Sequence, residues 1–202
     1  MESLPKPLQR VARNLARLPG LGPKSALRIA FFLLNMPREE VEELILSIGD
    51  LRQSLFICER CGSLSDSNPC GICSDPQRDS TTLCIVPDWD SLLTMEQMGI
   101  YKGRYLVLGG LLAPLEGMNS PQLNLEKLKA ILLEGEVKEL ILALGATRES
   151  EMTETFIREM VRGEFPHISL TRLAQGIPVG VELKYVDKET LKQSLTYRQS
   201  LT

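Results

Sequence analysis

Four cysteines stand in two C-x-x-C pairs, and their spacing indicates a metal site. Cys58 and Cys61 form the first pair, Cys70 and Cys73 form the second, and eight residues separate the pairs. Each pair places two sulfur atoms on one tight turn, so two turns complete the tetrahedral four-cysteine set that zinc prefers in structural sites. Four protein ligands leave no coordination position for water or substrate. The spacing therefore predicts one structural Zn²⁺ in a compact knuckle and no chemistry at the metal.

The same cysteines could instead form two disulfides, and a single C-x-x-C pair also occurs in redox enzymes. The N-terminal sequence MESLPKPLQR lacks the apolar core of an export signal, so we expect a cytoplasmic, reducing location where thiolates stay available to zinc. No apolar run in the sequence is long enough to span a bilayer, and no membrane role is expected. The fifth cysteine, Cys84, lies in the apolar run LCIV, where we expect a small buried core side chain.

A second group of residues has the pattern of an anion site, built around the sequence LPGLGPKSA at 18–26. Two glycines form a turn that can expose backbone N–H groups, and a proline then opens a helix whose first N–H groups are free. Basic side chains follow on that helix and also lie off the apolar stripe of the preceding helix. This pattern is typical of a helix-hairpin-helix, which holds nucleic-acid phosphates without reading bases, although a solvated basic face is the alternative. The residues predicted to contact DNA are Gly20, Gly22, Lys24, Arg28, Arg17 and Arg13.

The net charge of −3 hides an asymmetry along the chain. Residues 1–28 carry a charge of +5, and the remaining residues carry −8. A basic end on an acidic body predicts a polyanion-binding end and a body with a different role. Aromatic residues make up only 5% of the chain, which disfavours DNA binding by base stacking.

Apolar periodicity indicates the elements that must position these residues. Three helices are predicted before the cysteines, and the third, opened by Pro37, is expected to bury one apolar stripe. That stripe consists of Val41, Leu44, Ile45, Ile48 and Leu55. Beyond residue 82, four short apolar strands alternate with helices, as in a mostly parallel sheet covered on both faces. The helix predicted at 149–161 is expected to turn inward Met152, Phe156, Ile157 and Met160.

Together these patterns predict an α+β protein of several parts. Residues 1–56 form a helical region with the helix-hairpin-helix, and residues 57–76 form the small four-cysteine zinc finger. Residues 80–175 form an α/β domain with a mostly parallel four-stranded sheet. Residues 176–202 form a C-terminal segment with a last helix.

This order of parts resembles the RecR family of bacterial recombination mediators over essentially the whole chain. The segments that carry the resemblance are LARLPGLGPKSALRIAFFL at 15–33, the four cysteines, YLVLGGLLAPLEGM at 105–118 and TRLAQGIPVGVELKY at 171–185. The first two occur singly in other families, whereas the last two in this order are typical of RecR. The resemblance implies that the α/β body is a Toprim domain, the module also found in topoisomerases and primases.

Toprim enzymes hold Mg²⁺ with a Glu after the first strand and an Asp-x-Asp after a later strand. In this chain, Pro87, Gly145 and Thr147 stand at those three positions, and Pro87 also departs from the acidic residue expected in RecR itself. The carboxylates nearby are Asp88, Glu149 and Glu151. They could hold Mg²⁺ weakly, but helix capping and solvation are their commoner roles. The absence of these three carboxylates therefore predicts that the α/β domain has no catalytic activity.

The resemblance further implies a mediator of DNA repair that acts with RecO and RecF to help load RecA onto single-stranded DNA. It implies a homo-oligomer, a tetrameric ring assembled through the N-terminal and C-terminal parts, so residues 176–202 are expected to take part in oligomer contacts. The backbone N–H groups and basic side chains of the hairpin suit phosphates, so we expect single- and double-stranded DNA to bind independently of sequence. Zinc is expected to fix the knuckle between the DNA-binding end and the α/β domain. Three other hypotheses stay open: a magnesium-dependent Toprim nuclease or primase-like enzyme, a sequence-specific zinc-ribbon regulator, and an α/β protein whose zinc is purely structural.

Overall fold

The computed structural model describes residues 4–112 and 123–200. The chain divides into two compact units, of which one ends at Leu55 and the other begins at Phe56. The described part of the first unit forms helices α1 (Lys6–Leu15), α2 (Pro23–Asn35) and α3 (Arg38–Ser54). Where α1 packs against α2, the buried side chains are Ala12, Ala26 and Ala30. Small side chains at a helix contact allow the two axes to approach closely.

The predicted apolar stripe of α3 is present, but the prediction that it is buried is wrong for the single chain. None of the residues of α3 is buried, and Leu44, Ile45 and Ile48 are 40%, 62% and 62% exposed. Periodicity shows that a helix has one apolar face, but it does not show which element, or which chain, packs against that face.

The second unit begins with the cysteine knuckle and continues into a parallel sheet. The knuckle contains strands β1 (Phe56–Ile57) and β2 (Leu64–Ser65), which pair antiparallel, and the short helix α4 (Gly71–Ser74). The sheet contains β3 (Asp79–Val86), β4 (Gly103–Val107), β5 (Glu139–Leu142) and β6 (Ser169–Arg172). Its strand order is β4-β3-β5-β6, with every pair parallel, which confirms the predicted fold class. The helices of this unit after the knuckle are α5 (Trp89–Met98), α6 (Leu125–Leu133), α7 (Arg148–Glu164) and α8 (Lys188–Thr196), with a 3-10 turn at Leu183–Tyr185.

Both faces of the sheet are covered, as the alternation of strands and helices predicts. On one face, Leu83, Ile85 and Leu140 pack with Leu128 of α6 and Ile157 of α7. On the other face the buried residues are Cys84, Val86, Tyr105, Val107 and Ala143, packed against α5 and against Ile72 of the knuckle. Cys84 is fully buried as predicted, and its burial raises its thiol pKa to about 12.

The predicted inward face of α7 is partly wrong, because Met152 and Phe156 are each 44% exposed. The residues that α7 buries are Ser150, Thr153, Ile157 and Val161. Ser150 Oγ donates to the carbonyl of Leu144 at 2.5 Å, and Thr153 Oγ1 accepts the N–H of Leu112 at 2.9 Å. The first turns of α7 therefore lie against backbone N–H and C=O groups of other segments. Small hydroxyl side chains can hydrogen-bond these groups, whereas larger apolar side chains cannot.

Two aspartate side chains cap the first turns of helices. Asp88 accepts the N–H of Ser91 at 2.8 Å to open α5, and Asp187 accepts the N–H of Thr190 at 2.9 Å to open α8. Helices in the described ranges are all too short or too polar to cross a membrane.

Candidate metal centre and nucleic-acid interface

The four cysteines of the knuckle come together as one metal-ligating group. Their Sγ atoms all lie within 4.8 Å of one another, and among the described residues this quartet is the group of three or more candidate ligands that could hold an ion. Sγ of Cys61 lies 3.5 Å from Sγ of Cys70, and Sγ of Cys58 lies 3.9 Å from Sγ of Cys73. Four sulfur atoms at about 2.3 Å from Zn²⁺ stand roughly 3.8 Å apart in a tetrahedron. The quartet therefore fits tetrahedral zinc, and none of its members is in a disulfide.

Two short turns position the ligands. The N–H of Cys58 donates to the carbonyl of Ser63 at 2.8 Å, and the N–H of Gly62 donates to the carbonyl of Cys58 at 2.9 Å. Gly62 has a φ of +74°, a left-handed conformation that favours glycine. Cys70 opens α4, and its N–H lies 3.5 Å from Cys58 Sγ, so one backbone dipole points at a ligand sulfur. Local turns thus place both pairs around a common centre.

The crowding of four sulfur atoms opposes their full ionisation. Hydrogen bonds, first from Cys73 and then from Ser63, lower the pKa of Cys61. The hydrogen bond between Cys73 and Cys61, followed by burial and by repulsion from the neighbouring sulfurs, raises the pKa of Cys73. Burial raises the pKa of Cys70. A bound dication offsets these penalties, so zinc binding and release of the thiol protons occur together.

The knuckle covers part of the open edge of β4. Val107, the last residue of that strand, donates its N–H to the carbonyl of Cys61 at 2.8 Å. Asn124 Nδ2 donates to the carbonyl of Val107 at 2.8 Å. A Cβ atom at Gly62 would lie 2.9 Å from Asn124 Nδ2 and 3.1 Å from the carbonyl oxygen of Val107. The backbone of the knuckle and the end of β4 are therefore in such close contact that a side chain at Gly62 would separate them.

Two further side chains from the sheet domain bind carbonyl groups of the knuckle. Trp89 Nε1 donates to the carbonyl of Gly62 at 2.9 Å, and Lys127 Nζ donates to the carbonyl of Cys58 at 3.0 Å. Sequence reasoning missed these contacts, because 27 and 69 positions separate the partners. The one available signal was that Trp89 is the only tryptophan of the chain, which does not identify its partner.

The hairpin of the first unit has the backbone geometry of an anion site. Gly20 has a φ of +76° in the turn between α1 and α2, and Gly22 is the N-cap of α2 with no side chain to cover the helix end. Pro23 opens α2 as predicted, and the first turn of that helix contains no acidic residue. A Cβ atom at either Gly20 or Gly22 would meet nothing within 4 Å, so the turn is open to solvent. The positive end of the α2 dipole is therefore accessible.

The predicted DNA-contacting side chains surround this turn. Arg13 lies in the last turn of α1, Arg17 lies just beyond it, and Lys24 and Arg28 lie one turn apart on α2. All four are exposed, and no carboxylate in the described ranges lies within ion-pair distance of any of them. Their charge is therefore available to a ligand.

The carboxyl ends of β3 and β5 hold the positions at which Toprim enzymes carry carboxylates. Pro87 follows β3 directly, and Gly145 has a φ of +89° after β5. Thr147 is the N-cap of α7, where its Oγ1 accepts the N–H three residues further on at 3.2 Å. In the part of the chain that the structure describes, no three carboxylates converge at this edge into a metal-ligating group. Thr147 therefore caps a helix, and Gly145 provides a left-handed backbone conformation after β5.

Comparison with protein-family models accounts for nearly the whole chain. Residues 8–51 match the model for the RecR helix-hairpin-helix, and residues 55–75 match the model for the RecR zinc finger domain with four cysteines. Residues 81–174 match the Toprim domain, and residues 176–199 match the RecR C-terminal model. The fold and the cysteine site thus define a zinc-finger protein that combines a helix-hairpin-helix with a Toprim domain. The domain limits drawn from the sequence stay predictions.

Relatives of similar length share this arrangement. The chain is 59% identical to Recombination protein RecR of Maridesulfovibrio salexigens and 53% identical to that of Nitratidesulfovibrio vulgaris, each over 201 residues and 100% of both chains. It is 39% identical to Recombination protein RecR of Moorella thermoacetica over 197 residues, 98% of each chain. The chain belongs to the RecR family, and one structural zinc at Cys58, Cys61, Cys70 and Cys73 is its cofactor.

Proposed function

We propose that this protein is a DNA-binding recombination mediator that grips the phosphate backbone with its helix-hairpin-helix and catalyses no reaction. The observation that carries this proposal is the charge of the hairpin: residues 4–36 contain six Lys or Arg residues and no Asp or Glu. The glycine turn and the open end of α2 lie among these cations. A polyanion is the ligand that this combination fits best.

The chemistry of the hairpin favours phosphates over bases. The free N–H groups at the start of α2, beside Gly20 and Gly22, would donate to phosphate oxygens, and Lys24 and Arg28 would add charge on the same helix. Arg17 and Arg13 would flank the path of the backbone. Backbone contacts carry no sequence information, so single- and double-stranded DNA of any sequence would bind.

A salt titration of DNA affinity tests this assignment. The double variant Lys24→Ala/Arg28→Ala is compared with the unmodified protein by fluorescence anisotropy, using labelled single- and double-stranded oligonucleotides of random sequence. Each lost phosphate contact should lower the slope of log K against log salt by roughly 0.7–0.9. The control is Arg38→Ala/Arg52→Ala, which removes the same charge from α3.

The proposal requires Lys24→Ala/Arg28→Ala to bind DNA more weakly and with a smaller slope of log K against log salt. The control variant should keep the affinity and the slope of the unmodified protein. Unchanged binding by the first variant would refute the hairpin assignment. Binding to a labelled oligonucleotide of one defined sequence that persists in excess unlabelled DNA of random sequence would instead favour the zinc-ribbon regulator.

The residues at the carboxyl ends of β3 and β5 support the absence of catalysis. Pro87, Gly145 and Thr147 carry no carboxylate with which to hold Mg²⁺ as Toprim enzymes do. The alternative, a magnesium-dependent nuclease or primase-like enzyme, is tested with cleavage assays on single- and double-stranded DNA in the presence of Mg²⁺. Turnover that disappears in Glu149→Ala would establish the enzyme and refute the proposal.

We further propose RecO and RecF as partners, with RecA loaded onto single-stranded DNA as the outcome. An acidic cleft of about 500 Å³ between the ends of β5, α7 and α8 supports a protein partner with basic character, for which RecO is the candidate. The acidic residues that line it are Glu151, Glu154, Asp187 and Glu189. Charge reversal at Glu151 should weaken binding of RecO without changing binding of DNA.

A tetrameric ring is the proposed assembly. The exposed apolar stripe of α3 supports it, because a face with Ile45 and Ile48 each 62% exposed is costly to leave in water. Several weak DNA contacts in one ring would act together through their effective concentration. The mass in solution, measured with and without DNA, tests this part, and a monomer under both conditions would refute it.

A further inference from the structure

The zinc ligands differ in their access to solvent. Cys58 and Cys61 are 0% exposed and Cys70 is 2% exposed, whereas Cys73 in α4 is only half-buried. Thiolates on zinc remain nucleophiles, and susceptibility to oxidation follows thiolate character and exposure. A small oxidant in solution therefore reaches Cys73 before the other three ligands.

Sulfur atoms of the first turn lie close to sulfur atoms of the second. Cys73 Sγ lies 3.9 Å from Cys58 Sγ, while Cys61 Sγ lies 3.5 Å from Cys70 Sγ. Cys58 is thus a neighbour of Cys73 that can supply the second sulfur of a disulfide, and Cys61, which also hydrogen-bonds to Cys73, is the competing partner. A disulfide requires the two sulfurs to approach to about 2.05 Å, which α4 can allow because it is a single turn at the surface.

We propose that Cys73 is an oxidation site, at which hydrogen peroxide or a related peroxide converts the knuckle into a Cys58–Cys73 disulfide and releases the metal. This modification site goes beyond the DNA-binding role and does not depend on it.

The reaction proceeds in two balanced steps. The Cys73 thiolate attacks peroxide, so an S–O bond forms, the O–O bond breaks and hydroxide leaves, with Cys73 oxidised to the sulfenic acid. The Cys58 thiolate then attacks Cys73 sulfur, so the S–S bond forms, the S–O bond breaks and a second hydroxide leaves. The two thiolates lose two electrons, and the peroxide gains them. Two thiolate ligands remain, too few to retain structural zinc.

The change would be transmitted to the sheet through the backbone contacts of the knuckle. The carbonyl of Cys58 is the acceptor for Lys127, and that of nearby Gly62 is the acceptor for Trp89. Drawing Cys58 toward α4 moves the turn that carries both carbonyls. Trp89 is the only tryptophan, so its fluorescence reports directly on this displacement.

The test uses the zinc-loaded, full-length protein treated with hydrogen peroxide. Zinc release is followed with a chromogenic chelator, Trp89 emission is recorded in parallel, and disulfides are mapped by peptide mass spectrometry. We expect one zinc released per chain, one Cys58–Cys73 link, and recovery with dithiothreitol plus zinc. A Cys61–Cys73 or Cys70–Cys73 link as the main product, or zinc retained at complete oxidation of the thiols, would overturn the proposal.

Three variants locate the first oxidation. Cys73→His keeps four zinc ligands, as three cysteines and one histidine, but removes the exposed sulfur, so zinc release should slow at least about tenfold. Cys58→His keeps the exposed sulfur but removes its partner, so the Cys73 sulfenic acid should be trapped by dimedone. Cys84→Ser should release zinc at the unmodified rate, because that thiol is buried in the sheet.

A first dimedone adduct on Cys61 or Cys70 would contradict the order of events. If a histidine variant does not fold with zinc, the peptide map of the unmodified protein still decides whether Cys58, Cys61 or Cys70 is the partner of Cys73.

Discussion

Removal of zinc should detach the knuckle from the sheet while leaving the sheet folded. The knuckle consists of two strands of two residues each and a four-residue helix, too little structure to be stable by itself. Without metal, the ordered carbonyls that accept hydrogen bonds from Val107, Trp89 and Lys127 would be lost. The sheet has its own two-sided core and does not need these contacts to fold.

The size of the effect follows from these three hydrogen bonds. The two neutral ones contribute about 1 kcal/mol each and the one from the Lys127 ammonium about 2 kcal/mol, a total of about 4 kcal/mol. For a unit of this size, 1 kcal/mol corresponds to about 2–4 °C, so Tm should fall by roughly 8–16 °C.

Calorimetry on protein treated with a chelator under reducing conditions measures this change, with bound zinc determined in the same sample. Trp89 emission should shift to longer wavelength, because the indole loses its carbonyl partner. The matched variant Trp89→Phe, still loaded with zinc, removes one hydrogen bond and should lower Tm by about 3 °C. A metal-free protein with unchanged Tm and unchanged emission would refute the reasoning that zinc holds the knuckle in place.

Three further substitutions test individual contacts. Glu96→Gln removes the charge paired with Arg78 at 2.5 Å and should destabilise the protein by about 2 kcal/mol at neutral pH. Because Arg78 lowers the pKa of Glu96, the carboxylate stabilises the fold fully above its unfolded pKa of about 4.3. Urea titrations should show the difference between the two proteins shrink below that pH and disappear as the pH falls through the lowered folded-state pKa. Gly62→Ala should weaken zinc retention in a chelator competition, because its Cβ would press on Asn124 at a φ of +74°. Thr147→Ala should cost about 1 kcal/mol in urea unfolding through loss of the α7 cap, and a larger loss would contradict a capping role.

The zinc site could be predicted from the sequence because its ligands are close along the chain. Two C-x-x-C pairs within sixteen residues leave few ways to arrange four sulfurs, and the Sγ distances agree with the tetrahedron expected. The contacts that hold the knuckle on the sheet could not be predicted, since Trp89 and Lys127 lie 27 and 69 positions from their partners in the sequence. Nothing in the local sequence around Trp89 or Lys127 distinguishes it as a hydrogen-bond donor to the knuckle.

The buried face of a helix was also only partly predictable from the sequence. In α7, periodicity selected Met152 and Phe156 as core residues because they are large and apolar, but the buried face carries Ser150 and Thr153. Those hydroxyls bond backbone groups of neighbouring segments, a requirement that hydrophobic spacing does not detect. The short caps at Asp88 and Asp187 were predictable, because each depends on residues within three positions.

The coverage of the β4 edge by the knuckle has a consequence for how the chain is made. Residues 55–75 leave the ribosome before Gly103–Val107, so a metal-loaded knuckle can be complete when β4 emerges. The N–H of Val107 then meets the carbonyl of Cys61 before it meets a strand of another nascent chain. Zinc supply during synthesis would thus govern the yield of soluble protein, and zinc added after release would come too late for chains that have already paired at this edge.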